Sequence, residues 1–317
     1  MHNAQYLRSL LTGQNSRQGL WILPLLMALA LSVWIATRQP TFIDSQNLLN
    51  LVAQAVPLLV AALGQLVVVL IGGLDLSVGA VISLTTAILA SGAPAYVVIP
   101  GLFLAAAVIG LVNGLTIARL NVHPIIATLS TASVVQGVTL LIRPVAGGEI
   151  PAVVTQMVGG SVLGVPMPVV WTVGAVALGW KLVHASRFGL HLFAVGGGAA
   201  VASSYGIRVE RITISAYVLS ALFAAAAGMV VAGRVASGDP NIGALFAIES
   251  ITAVALGGVQ LAGGIGSVIG AFTGAAFLAL LNNGMNLENI SAFIQTVIKG
   301  LILLAVVAMQ PRKTIGL

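Results

Sequence analysis

The chain is predicted to be an all-α polytopic membrane protein of about ten transmembrane helices, with both termini cytoplasmic. Three observations carry this. Of 317 residues, 59% are hydrophobic and only 6% are charged, with a mean hydropathy of +1.10. A soluble chain carries roughly 25% charged residues to solvate its surface, so lipid is the solvent that suits this one. The apolar residues come in continuous runs near the ~20 residues a spanning helix needs, not in the alternating segments of about ten that mark a barrel. The cations, finally, are sorted by side. Threaded with the N-terminus inside, Arg8, Arg17, Arg119, Lys181, Arg187, Arg208, Arg211, Arg312 and Lys313 fall inside, Arg38, Arg143 and Arg234 outside, and Lys299 within the last span. That bias fits the positive-inside rule and requires an even number of spans.

In order, the spans read 21–37, 48–71, 78–91, 97–117, 124–142, 168–182, 212–231, 248–261, 267–281 and 293–309. The first has the length of a signal-peptide core, but Arg38-Gln39-Pro40 follow it without a small-x-small cleavage site, so an uncleaved helix is expected. The third, eighth and ninth look short, set off by Gly72-Gly73, Gly257-Gly258 and Gly263-Gly264. Such segments are either helices broken inside a transporter near its pathway or ordinary helices joined by tight turns. Most of the 37 glycines, as in Gly270-Ala271 and Gly274-Ala275, are assigned to close helix packing. The domain reading is a cytoplasmic segment at 1–20, a membrane domain at 21–309 with a cytoplasmic loop at 184–211, and a tail at 310–317.

Polar residues in a membrane are costly and mark function or pairing. In Gly72-Gly73-Leu74-Asp75-Leu76-Ser77-Val78-Gly79-Ala80, Asp75 and Ser77 are either pathway residues or caps that accept from the next helix's free N–H groups. On the fifth span Thr128, Thr131, Gln136 and Thr139 share one face, whereas Ser130 and Ser133 point elsewhere. That stripe lines a passage for a polar solute or bonds a neighbouring helix. On the last span Ser291, Gln295 and Lys299 recur every four residues, and Lys299 snorkels, pairs with Glu249 or Glu288, or lines the path. In the loop from His184 to Arg211 a short helix is expected from Ala199 to Tyr205, preceded by Gly196–Gly198 and stopped by Gly206. With Arg187, Arg208 and Arg211 around it, this segment reads as a docking element or as a connection lying on headgroups.

Several classes are excluded. With no cysteine there is no disulfide and no thiolate metal site, and neither a metal nor a cofactor is expected. The net charge of +6 is scattered between apolar runs, which does not suit nucleic acid. No Gly-x-x-x-x-Gly-Lys-[Ser/Thr], His-Glu-x-x-His or Gly-x-Ser-x-Gly occurs, so an ATPase that drives transport must be another chain.

From about Phe42 onward the chain resembles the permease subunits of ABC sugar importers of the ribose/galactose/autoinducer-2 type. The resemblance rests on Gly72–Ala80, on Ile126-Ala127-Thr128-Leu129 with Gly137-Val138-Thr139, on Leu256-Gly257-Gly258 through Leu261-Ala262-Gly263-Gly264, and on Leu281-Asn282-Asn283-Gly284-Met285-Asn286-Leu287. The loop from Arg187-Phe188-Gly189 to Ile207 is similar to the family's ATPase-coupling loop, although Gly198 stands where Asn is usual; Ala247-Ile248-Glu249 also departs from the family's Glu-Leu-Asp. The resemblance implies a transport subunit without its own ATPase motif, moving a monosaccharide or similar polar solute across a bacterial inner membrane. It implies ATPase subunits, a periplasmic binding protein and a second permease as partners. Docking would fall to Arg187, Gly189, Phe193, Gly197, Ala199, Ala200, Gly206, Arg208 and Arg211. The path would draw on Asp75, Ser77, Thr128, Thr131, Gln136, Thr139, Asn282, Asn283, Gln295 and Lys299. The competing class is an ion- or proton-coupled transporter, which places carboxylates mid-membrane; here Asp75 alone was expected near a span interior.

Overall fold

The computed structural model describes residues 22–310. Expectations for 1–21 and 311–317, including the sidedness of Arg8, Arg17, Arg312 and Lys313, fall outside the described residues. Within them the regular structure is α-helical apart from one 3-10 turn (Pro40–Ile43) and one short hairpin.

The helices are α1 (Ile22–Arg38), α2 (Ser45–Leu70), α3 (Val78–Leu89), α4 (Ala95–Ala118), α5 (Pro124–Ile142) and α6 (Ala152–Gly159). The antiparallel hairpin of β1 (Ser161–Val162) and β2 (Val165–Pro166) leads into α7 (Met167–Val183). There follow α8 (Arg187–Gly197), α9 (Ala199–Ser204), α10 (Val209–Val235), α11 (Phe246–Leu256), α12 (Val268–Leu287) and α13 (Ala292–Met309). Each of the ten predicted segments therefore contains a helix. Six (α2, α4, α5, α10, α12, α13) are long and apolar enough to cross a membrane, and α7 with α8, bent by 66°, makes a seventh if the pair is one span. α1, α3 and α11 are shorter.

The ninth segment is a correction: α12 has 20 residues and is not short. Ser267 caps it by accepting from the Gly270 N–H at 3.0 Å, and it runs on through Asn282-Asn283, which the sequence suggested as an end. Those amides are carried inside the bundle, where Asn283 Nδ2 donates to Asn47 Oδ1 on α2 at 2.9 Å. The loop at 184–211 is a second correction. It holds two helices, and Gly196 and Gly197 belong to the first of them instead of preceding a single short one.

The core forms around α2 and α10. From Val56 to Leu70 α2 is buried without a break, because its Val, Leu and Ala residues leave no polar face to turn outward. α10 packs along α4, α2 and α3. Glycines set how close these helices come: a Cβ on Gly110 would strike the Val218 backbone, and one on Gly228 would strike Thr85. Where α11 meets α12, Gly270 faces the Gly257 carbonyl and Gly274 the Ala253 carbonyl with no room for a methyl group. α5 packs on α3 and α4, and α13 lies at the periphery against α11.

Candidate functional site

The α2–α3 connection gathers the most buried polar groups. Gly72 takes φ +80°, and the chain continues without helix to Ser77. Asp75 has no exposed surface. Its Oδ1 accepts from Ser77 N at 2.9 Å and Ser77 Oγ at 2.6 Å, and its Oδ2 accepts from Ser220 Oγ of α10 at 2.8 Å. Asn113 Nδ2 of α4 donates to Ser77 Oγ at 2.9 Å. With its amide oriented by its surroundings, Gln65 of α2 donates to Asp75 O at 3.1 Å and accepts from Asp75 N at 3.2 Å. Among the described residues no Lys or Arg pairs with this carboxylate. Its compensation comes from these donors and from the adjacent N-terminus of α3, whose partial positive charge favours an anion. Ser77 occupies the N-cap position of α3, but neither it nor Asp75 accepts from within the helix, so the expected cap is replaced by a tie between four helices.

The α5 stripe faces inward. Thr128 and Thr139 are fully buried, Thr131 and Gln136 partly so, and Ser130 and Ser133 are exposed on the other side. Thr128 Oγ1 accepts from Leu76 N at 3.1 Å and donates to Pro124 O at 2.9 Å, which fixes α5 to the same connection. Thr139 Oγ1 donates back to Val135 O at 2.7 Å. Gln136 reaches across to the segment between α10 and α11, donating to Pro240 O at 2.9 Å. Of the four, Thr131 and Gln136 alone offer open surface in this conformation.

At the far end of the chain Gln295 is buried and donates to Asn286 Oδ1 at 2.8 Å and Ile290 O at 2.9 Å. Asn282 is half-buried, and its Oδ1 has no partner among the described residues. Lys299 Nζ lies 2.7 Å from Glu249 Oε1, with side-chain exposures of 15% and 13%. Of the roles open to Lys299, pairing is the one the structure displays. Glu249, in the first turn of α11, is thereby a second carboxylate held among the helices, where Asp75 alone was expected near a span interior.

The residues expected to dock an ATPase divide. Ala199, Ala200, Gly206, Arg208 and Arg211 are exposed, as is Gly197. Arg187 is exposed as well, Phe193 is half-buried, and Gly189 is buried against the Val183 carbonyl, so it shapes the α7–α8 bend and offers no surface. α9 ends in a Schellman motif: Gly206, at φ +81°, donates to Ser203 O at 2.9 Å, and Ile207 N donates to Ala202 O at 3.1 Å. Just before it, Gly196 abuts the Leu70 carbonyl and the Gly264 N–H, and Gly264 N itself donates to Leu70 O at 2.9 Å. The exposed helix is therefore joined through bare backbone to the end of α2 and to the α11–α12 connection.

The structure is thus a helical bundle in which the α2–α3 connection is buried and α9 is exposed. A family model described as "Branched-chain amino acid transport system / permease component" matches residues 47–307. The chain belongs to this permease family. It is 36% identical over 305 residues to the ribose import permease protein RbsC of Bacillus subtilis (strain 168), covering 92% of each chain. It is 35% identical to RbsC of Escherichia coli (strain K12), covering 92% of this chain and 95% of that one. With the galactose/methyl galactoside import permease protein MglC of the same strain it shares 32% identity, over 91% and 92%. No solved structure matches.

Every candidate residue of this permease lies within the matched span. Sequence reasoning missed Gln65, Asn113 and Ser220, the partners of the Asp75 connection. Two carried a signal: Gln65 and Asn113 are lone amides in otherwise apolar runs, and such groups must find partners in a membrane. Ser220 carried none, since a serine in a small-residue helix is ordinary.

Proposed function

We propose that this permease is the membrane subunit of a binding-protein-dependent ABC importer that carries a monosaccharide, ribose or a close relative, with ATP hydrolysed by a separate subunit. The observation that carries the reading is end-to-end similarity to ribose import permeases. The exposed α9, flanked by Arg208 and Arg211, would be the face that meets the ATPase, and 184–211 the coupling loop. On this reading all ten segments count as spans, α3 and α11 being parts of broken ones, and both termini are cytoplasmic in a bacterial inner membrane. A periplasmic binding protein would meet the opposite end, and a second permease copy or paralogue would complete the path. The inward groups of α5 and the Asp75 connection would hold the walls of that path, with Thr131 and Gln136 on its surface.

Co-expression with a candidate ATPase subunit and binding protein, followed by reconstitution, tests this. Expected is ATP-dependent uptake of labelled ribose that requires the binding protein. Uptake driven by a proton or sodium gradient without ATP would replace this reading with an ion-coupled transporter.

A further inference from the structure

The ten residues between α10 and α11, 236–245, hold no helix; Gly238 pairs with Gly147 after α5, and from Asp239 to Gly243 the segment is bonded to α3 and α5. Thr86 of α3 donates to Asp239 O at 3.0 Å and accepts from Asp239 N at 3.1 Å, and Ser83 Oγ accepts from Gly243 N at 3.0 Å. Gln136 Nε2 donates to Pro240 O at 2.9 Å and to Asn241 Oδ1 at 3.2 Å. Gln136 fixes the depth. It stands twelve residues past Pro124 and six before Ile142, about 18 Å and about 9 Å along α5 at a rise of ~1.5 Å per residue. Beyond it α5 stays apolar on its outer face, with Leu141 86% exposed, so the hydrocarbon level continues past Gln136.

Irregular backbone at that depth is tolerated only where it is buried in protein or lines water. Pro240 and Gly243 are buried, but Asn241 and Ala244 are exposed. Asn241 N is held by Asp239 Oδ1 at 2.8 Å, which fixes the side chain's base, and its Nδ2 makes no hydrogen bond among the described residues. We infer that this strap lines an aqueous solute passage and that Asn241, beside Gln136, presents a free amide N–H to a hydroxyl of the passing neutral, polyhydroxylated solute. A neutral donor suits such a solute, because it can be exchanged for water without holding the solute tightly. The inference rests on the proposed transport function and adds a contact residue that the sequence did not single out.

Because the chain has no cysteine, single-cysteine variants report one position each. In vesicles containing the assembled transporter, Asn241→Cys should react with a charged, membrane-impermeant methanethiosulfonate reagent, and Leu141→Cys, on the outer face of α5, should not. Reaction at 241 no faster than at 141, with or without ATP, overturns the passage. For the contact itself, Asn241→Leu should lower the maximal rate of ribose uptake about fivefold, one hydrogen bond's worth, with recovery in Asn241→Gln. Equal rates in the Leu and Gln variants overturn the contact. Should the unmodified transporter take up no ribose, the transport reading falls, while the labelling rates still decide whether the strap meets water.

Discussion

Asp75 and Lys299 are both ionisable groups packed among the helices, and they are held in different ways. Asp75 is satisfied by donors without a cation, so its removal strands those donors: Asp75→Ala should cost about 2–4 kcal/mol, since each unmet buried donor costs ~1–3 kcal/mol and the two hydroxyls can turn elsewhere. Asp75→Asn keeps an acceptor and should cost less. Thermal unfolding of the detergent-purified permease should rank the unsubstituted protein, then Asn, then Ala; an Ala variant as stable as the parent would show that the tie between helices carries no stability. Lys299 is a true ion-pair member. Lys299→Met alone leaves Glu249 without its partner and should cost about 3–5 kcal/mol, whereas Lys299→Met with Glu249→Met should restore most of it, as buried pairs exchanged for apolar residues are often neutral. Additive losses in the double variant would argue that the two groups act separately.

At the scale of elements, the glycines of the 184–211 loop do two jobs. Gly196 allows backbone contact, since any Cβ there runs into Leu70 O and Gly264 N; Gly206 supplies a left-handed turn that other residues enter at a cost of roughly 1–2 kcal/mol. Gly196→Ala should therefore loosen the junction of α8 with the end of α2, visible as faster amide exchange at both Gly264 and residues 70–73. Gly206→Ala should speed exchange only in α9, and Gly101→Ala, where a Cβ meets nothing within 4 Å, should change neither. On the proposed coupling role, Ala200→Trp on the exposed face of α9 should leave the permease folded while abolishing ATPase stimulation by the loaded binding protein. Unchanged stimulation and uptake would move the docking face elsewhere.

For the whole molecule, sidedness is the main expectation left to measure. The hairpin before α7 ends in Leu163, fully exposed, and the loop after α7 and α8 carries Tyr205, 84% exposed. α7 alone is 17 residues, about 25 Å of helix, so the two tips should lie on opposite sides of the membrane. In intact cells Leu163→Cys should be labelled by an impermeant thiol reagent and Tyr205→Cys only after permeabilisation. Labelling of both from outside would refute the inside placement of α9 and with it the span count.

The sequence by itself determined the solvent, the helical class, the glycine pairs at which α2 and α11 end, and the short helix with its Gly206 stop. These follow from composition and from local chemistry: a run of apolar residues, a glycine pair or a C-terminal glycine acts on its own few residues. The face of α5 that turns inward was legible for the same reason, because helical period alone groups Thr128, Thr131, Gln136 and Thr139. What each group bonds was decided only by the tertiary structure. Ser220 reaches Asp75 across 145 residues and Gln136 reaches Pro240 across 104. In lipid both faces of most spans are apolar, so no amphipathic pattern states which helix will be the neighbour. That choice is made by how closely backbones approach at glycines such as Gly64, Gly110 and Gly228, and the buried polar partners are set by the packing that results.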